Sequence, residues 1–231
     1  MRHDPEALML FAAGRGTRMG ALTATRPKPL IEVGGRALID HALALADEAG
    51  IACRVVNLHH LGGQIEAHLA PRPGIALSRE EELLDTGGGL RAALPLLGPG
   101  PVFTLNSDAV WTGANPLAEL RAAWDGTRMA ALLLLAPSAR VRGREGPGDF
   151  ALAPDGRISR GGDFVYLGAQ ILRPGGLAAI PDPVFSLNRL WDAMIAAGTA
   201  FGTIHNGLWC DVGHPAGIAE AESMLREAGH G

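Results

Sequence analysis

The stretch Ala7-Leu8-Met9-Leu10-Phe11-Ala12-Ala13-Gly14-Arg15-Gly16-Thr17-Arg18-Met19 decides the fold. Its first seven residues form an uncharged run of strand length. An apolar run with no polar alternation predicts a strand buried on both faces, as in a parallel sheet. The run ends in a turn with glycine at 14 and 16. Such a turn at a strand's carboxyl end lets backbone N–H groups approach a phosphate. The dinucleotide fingerprint is excluded, because position 19 would need glycine and holds Met19. A P-loop is excluded too, because no Gly-Lys-Ser/Thr follows. The turn alone is weak evidence, and Arg18 and Lys28 strengthen it as further cationic contacts for a phosphate.

Lys28 is the only lysine in the chain, whereas the remainder of its 20 basic residues are arginine. A lone ammonium kept against that bias, stiffened between Pro27 and Pro29, suggests work that a planar fork cannot do. Read without the glycine turn, it is a surface lysine in a proline-rich loop.

Outward from this segment, apolar runs of strand length alternate with helical patterns. Residues 7–13, 51–58, 102–105 and 129–135 are predicted strands. Leu38, Ala42, Leu45 and Ala49 recur at helical spacing and stop at Gly50, while Asn115-Pro116 reads as an N-cap with proline at the first helical position. This alternation predicts an α/β fold with a mainly parallel central sheet and helices on both faces. After Pro137 the pattern loosens into a hairpin around Pro154-Asp155-Gly156, a strand at 164–172, a helix capped by Ser186, a strand at 201–205 and a last helix at 215–227. The reading is one domain over residues 1–231, with 1–136 mainly binding nucleotide and 137–231 mainly a β/α elaboration that binds sugar.

The chain's 231 residues are ample for one full core, and a formal charge of −4 gives no basic surface for nucleic acid. The acidic Asp4 and Glu6 before the first apolar run argue against a signal peptide, and the apolar run at 129–136 is too short to span a membrane. Cys53 and Cys210 sit in apolar contexts without metal-like spacing and are expected to be reduced core thiols, consistent with a cytoplasmic protein. Two aspartates stand at strand ends, Asp108 in Asn106-Ser107-Asp108 and Asp211 in Trp209-Cys210-Asp211-Val212-Gly213. Each reads equally well as a turn aspartate or as a Mg²⁺ ligand facing phosphate oxygens.

The run from Leu10 to Met19, followed by Leu22-Thr23 and Pro27-Lys28-Pro29-Leu30, resembles the signature of the sugar-1-phosphate nucleotidyltransferases. The departure is Gly20-Ala21, where that family places a residue and then proline. The resemblance implies a Rossmann-like nucleotidyltransferase fold and nucleotidyl transfer to a sugar 1-phosphate with release of pyrophosphate. It implies that Ala12, Ala13, Gly14, Gly16 and Thr17 contact the nucleotide and that Arg18 holds its β- and γ-phosphates. Lys28 would reach the α-phosphate and the sugar phosphate, and Asp108 and Asp211 would hold Mg²⁺. Asp85-Thr86-Gly87-Gly88-Gly89 is similar to the family's base-binding element, with Gly87 and Gly88 close to the base and Glu80, ahead of Ser78 and Glu81, facing its edge.

Asn106, Asp149, Tyr166 and Gly168 are the implied sugar contacts. A lysine that many relatives carry before the last long strand is absent, which leaves Arg144 or Arg160 to replace it. Within the family, Gly148-Asp149-Phe150 and Phe185–Trp191 look most like the uridylyltransferases that act on N-acetylmuramic acid 1-phosphate in cell-wall recycling. In that reading Arg144 pairs with the substrate's lactyl carboxylate. The implied partners are UTP and a sugar 1-phosphate, and the implied assembly is a monomer or small homo-oligomer. Guanylyl, thymidylyl or cytidylyl transfer, or a catalytically silent nucleotide-sugar-binding regulator, stay open at this stage.

Overall fold

The computed structural model describes residues 4–229. Strand β1 (Ala7–Phe11) is the hub of the central sheet. It pairs in parallel with β4 (Cys53–Leu58) on one side and β6 (Val102–Asn106) on the other, and β5 (Ile75–Arg79) extends the β4 edge in parallel. Leu8, Met9 and Leu10 have no exposed surface, as expected for a strand covered on both faces. The helices α1 (Leu38–Glu48), α2 (Gly62–Leu69), α3 (Asp85–Leu97) and α4 (Pro116–Ala123) occupy the connections of this first half. A small hairpin, β2 (Glu32–Val33) and β3 (Arg36–Ala37), precedes α1. The Asn115 side chain accepts from the N–H groups of Leu117 and Ala118 at 3.0 and 3.2 Å, so α4 is capped as its sequence predicts.

Beyond β6 the sheet changes sense. The long strand β12 (Phe164–Leu172) pairs antiparallel with β6 and, on its other side, with β8 (Ala131–Pro137). The hairpin β10 (Phe150–Leu152) and β11 (Ile158–Arg160) is joined to β12 through Phe150 and Phe164, and β13 (Ala200–Ile204) runs parallel to β8. Helix α5 (Asn188–Ala196) packs near β13, and α6 (Pro215–Glu227) closes the fold against β14 (Leu208–Asp211). The result is a mixed, mostly parallel sheet with helices, as expected, built from both halves of the chain.

A three-stranded sheet stands beside it: β7 (Ala109–Thr112), β14 (Leu208–Asp211) and β9 (Val141–Arg142). Its β7–β14 pairing is antiparallel, with Asp211 opposite Ala109, so the chain just before β7 and the end of β14 meet at one edge. Among the described residues, no helix is long and apolar enough to cross a membrane.

Several boundaries differ from the sequence reading. Strand β1 stops at Phe11, two residues short of the glycine turn. The second predicted strand begins at Cys53, which leaves the Cys53 side exposed, with its thiol toward the Leu96 carbonyl; only Cys210 is a core thiol. Helix α5 begins at Asn188 with no side-chain cap, because the Ser186 hydroxyl instead accepts from Asn188.

Candidate active site

The ends of β1 and β6, the start of α3 and the loop after β14 enclose a cavity of about 530 Å³. Ala12, Ala13, Gly14, Gly16, Thr17 and Arg18 line one wall, Lys28 and Pro29 another, and Asn106, Ser107 and Asp108 a third. Gly16 has φ +62°, and a Cβ there would lie 2.9 Å from the Lys28 Cβ. Glycine is therefore needed twice over, for its left-handed backbone and for the approach of the lysine. The Gly20 departure is accommodated by a sharp kink at φ 58°, ψ −128°, where the Thr23 hydroxyl donates to the Gly16 and Gly20 carbonyls.

Lys28 is buried, 7% exposed, in a short turn fixed by Pro27 and Pro29. That excludes the surface-lysine reading. Its Nζ donates to Asp108 Oδ2 at 2.7 Å. The Val212 N–H donates to the Asp108 carbonyl at 2.9 Å, which ties the two aspartate-bearing segments together. Burial, and next the charge of Asp108, push the Asp211 carboxyl above its ordinary pKa. Arg18 stands 3.8 Å from Asp211, and a Cβ on Gly213 would be 2.5 Å from Asp211 Oδ2 and 2.9 Å from the Arg18 guanidinium. Gly213 thus leaves room for this pair, a role its place two residues after Asp211 hinted at.

The two neighbouring carboxylates of Asp108 and Asp211 form a hard oxygen donor set suited to a divalent cation. Among the described residues no cluster of three or more such ligands exists. Asp108 and Asp211 could hold a cation whose remaining positions are filled by water and substrate oxygens, the usual arrangement for Mg²⁺.

Asn57 was missed by the sequence reading. Its Oδ1 accepts from the Ala12 N–H at 2.7 Å, and its Nδ2 donates to Glu80 Oε1 at 2.7 Å. Glu80 Oε2 accepts from the Leu84 N–H at 3.0 Å. Glu80 therefore lines the cavity as the centre of a buried clamp, with both oxygens already engaged by the chain. The only cue was a polar residue inside the apolar run Val55-Val56-Asn57-Leu58.

Gly87 and Gly88 do not line this cavity. Their N–H groups donate to the Phe185 carbonyl at 2.9 and 3.1 Å. A Cβ would lie 2.4 Å from the Phe185 ring at Gly87 and 2.5 Å from the Pro183 carbonyl at Gly88. The glycines admit the 183–185 segment of the chain itself, and Leu83, Asp85, Thr86 and Val184 provide the wall expected of them.

A second cavity of about 290 Å³ continues from the first, sharing Phe11, Asp85, Thr86 and Asn106 with it. Asp149, Phe150, Arg160, Tyr166, Asn188 and Trp191 complete its wall. Gly168, at φ +81°, sits at the bulge in β12, where a Cβ would be 2.9 Å from Asn106 Nδ2, so its role is to let Asn106 in. The Tyr166 ring faces the cavity, but its hydroxyl meets Thr104 and Gln170 inside the fold, and burial pushes the phenol up. Gln170 also donates to Thr104 Oγ1 at 3.0 Å and accepts from Trp191 Nε1 at 2.8 Å. The cavity floor is thus a buried, mutually satisfied network.

Arg144 lies elsewhere. It lines a neighbouring depression with Arg18, Asp211 and His214, and both of its terminal nitrogens donate to Asp149, at 2.9 and 2.7 Å. It lines neither of the two cavities, and its fork is closed on Asp149, whose Oδ2 also accepts from the Tyr166 N–H at 2.9 Å.

Residues 8–225 match the model of the MobA-like NTP transferase domain. The chain is 42% identical to the N-acetylmuramate alpha-1-phosphate uridylyltransferase of Caulobacter vibrioides, over 99% of this chain and 100% of that protein. It is 34% identical to the enzyme of the same name from Neisseria meningitidis, over 94% of this chain and 96% of that one. Among solved structures it is similar in fold to UDP-glucose pyrophosphorylase from Acinetobacter baumanii, with a TM-score of 0.78 at 16% identity, covering 96% of this chain and 93% of that one. A buried lysine and two facing carboxylates beside a glycine turn, carried by a chain with these relatives, make it a nucleotidyltransferase belonging to the MobA-like NTP transferase family.

Proposed function

We propose that this enzyme transfers UMP from UTP to N-acetylmuramic acid 1-phosphate, releasing pyrophosphate, in the cytoplasmic recycling of cell-wall sugar. The observation that carries the chemistry is Lys28, buried beside Asp108 in the wall of the first cavity, against the glycine turn. The uridylyl and muramyl assignments are supported by the two relatives of that name, which align over nearly the whole chain.

The nucleophile is a phosphate dianion that must approach another phosphate, so local cations must offset the repulsion. Lys28 is preorganised for this by its prolines and its burial. The backbone N–H groups at 14–17 and the Arg18 side chain, 68% exposed, receive the leaving pyrophosphate. Mg²⁺, held by Asp108 and Asp211, would supply Lewis-acid charge to the phosphate oxygens when bound. No covalent enzyme intermediate is required, because the substrate phosphate is itself the nucleophile. Positioning then carries much of the rate, with the Asn57–Glu80 clamp holding the Ala12 backbone and Asn106 standing where both cavities meet.

The reading is tested by supplying the purified protein with Mg²⁺, each of the four ribonucleoside triphosphates and N-acetylmuramic acid 1-phosphate, and measuring pyrophosphate. Release with UTP and a UDP-sugar product by mass is expected. Turnover with another nucleotide at tenfold or higher kcat/KM would replace the uridylyl assignment.

A further inference from the structure

The second cavity has one feature that nucleotidyl transfer does not require. Its wall carries three charged side chains: Asp85, Asp149 and Arg160. Asp149 is matched by Arg144 from outside the cavity. Asp85 stands at the junction with the nucleotide cavity, where its Oδ1 accepts from the Thr86 N–H at 2.6 Å. That leaves Arg160, at the end away from the phosphates, as the cation of the wall.

Its guanidinium is held in place. It lies 5.0 Å from the centre of the Phe150 ring and 5.6 Å from that of Trp191, against both rings of an edge-to-face pair. Nε donates to Asp192 Oδ1 at 2.8 Å and Nη2 to the Asn188 carbonyl at 3.1 Å. Nη1 has no hydrogen-bond partner among the described residues. The partner Asp192 is on the outer surface, with 61% of its side chain exposed, where an ion pair is weak and screened. Helix α5 also begins at this wall, at Asn188, and its positive end adds to the attraction for an anion.

We propose that Arg160 is a specificity-determining residue that receives the carboxylate of an acidic substituent on the sugar ring, the lactyl ether of N-acetylmuramic acid being the substituent of that class. This rests on the reading of the site as one for a sugar 1-phosphate. With the phosphate at Lys28 in the first cavity and the ring across Asn106, a ring substituent projects toward Phe150 and Trp191, and Arg160 forms the far wall. Arg160 lines only this cavity, so its charge serves the sugar's own anion and leaves the phosphates to Lys28 and Arg18.

The test compares kcat/KM with UTP for three sugar 1-phosphates: N-acetylmuramic acid, its lactyl carboxamide and N-acetylglucosamine. The wild-type enzyme is expected to favour the acid over the carboxamide by about ten- to a hundredfold, the range of a charge-assisted contact. Arg160→Ala should lower kcat/KM for the acid by at least tenfold more than for either neutral sugar, and Arg160→Lys should restore part of the difference. Asp192→Asn should keep the preference for the acid, because it leaves the guanidinium against its rings. Equal losses on all three sugars in Arg160→Ala, or a wild-type enzyme indifferent to the carboxamide, would overturn the proposal. No turnover of any of the three by the wild type would instead refute the sugar 1-phosphate reading. If Arg160→Ala melts early, Arg160→Gln removes the charge while keeping a donor, and the wild-type carboxamide comparison needs no variant.

Discussion

The phosphate end and the sugar end of this site are built in different ways. The phosphate end draws on short stretches, each contiguous in itself: the turn at 14–18 with the proline-flanked lysine soon after it, and two aspartates at facing strand ends. Its work is charge placement, and its groups are only partly satisfied by the chain. Lys28 faces Asp108, Asp211 carries a raised pKa, and Arg18 is largely free. The sugar end brings together Phe11, Asn106, Asp149, Arg160, Tyr166 and Trp191 from segments far apart, and its polar groups are tied to one another. One end presents charges that substrate and cation complete, while the other is a tied polar floor with one guanidinium, Arg160, in its wall. The chemistry should therefore fail through single charges at the first end, and selectivity should fail through the placement of that one cation at the second.

The largest expected effect is at Lys28. Lys28→Ala should lower kcat by about 10²–10³-fold with the fold intact, the usual scale for removing a preorganised donor. Lys28→Arg should rescue poorly, because the side chain is packed against Gly16 and Thr23 crowds the same turn. Steady-state kinetics beside a thermal melt check both. A loss of less than about tenfold, ~1.4 kcal/mol, would remove the lysine from the chemistry.

Next come the carboxylates. Asp108→Asn and Asp211→Asn should each raise the Mg²⁺ concentration needed for half-maximal rate by roughly tenfold or more, since each removes a charged oxygen from a hard cation. Asp211 adds a stability effect with a definite sign. Its folded pKa is raised, chiefly by burial, so the folded chain keeps a proton that the unfolded chain has already lost. Stability without cation accordingly falls as pH rises from the ordinary carboxylate value through the raised one. At neutral pH and without Mg²⁺, Asp211→Asn should melt higher than the wild type. A lower melting temperature, or unchanged Mg²⁺ titrations in both variants, would break the contrast between the two ends.

How much of each end could be read from sequence follows from the same difference. The glycine turn, Lys28, Asp108 and Asp211 were legible because each motif is contiguous and its chemistry is local. The parallel half of the sheet was legible for a similar reason, since β1, β4 and β6 are short contiguous segments dominated by apolar residues. Asn57 and Gly213 were not, because their roles are defined by atoms across the fold, the Ala12 N–H and the Arg18 guanidinium. Gly87 and Gly88 were misread because close approach by a ligand and close approach by the chain's own 183–185 segment demand the same residue. Arg144 shows the limit most plainly: sequence places it beside Gly148-Asp149-Phe150, but only the coordinates show its fork closed on Asp149. The division at residue 136 also blurs, since Val184 and Gly213 line the nucleotide cavity and Phe11 and Asn106 the sugar cavity.

That correction gives the smallest predicted effect. Arg144→Ala frees Asp149 and should lower kcat/KM by several-fold to about tenfold, the scale of one charge-assisted pair partly exposed to water. The loss should be equal for N-acetylmuramic acid 1-phosphate and N-acetylglucosamine 1-phosphate, because the arginine acts through Asp149. A loss confined to the acidic sugar would return Arg144 to the substrate.

The most direct test of the whole account is a competition in which the wild-type enzyme, with UTP and Mg²⁺, is offered equal concentrations of those two sugar 1-phosphates. The two UDP-sugars are then counted by mass spectrometry. The account predicts that the muramic product dominates by tenfold or more. Equal products, or an excess of the neutral sugar, would contradict it.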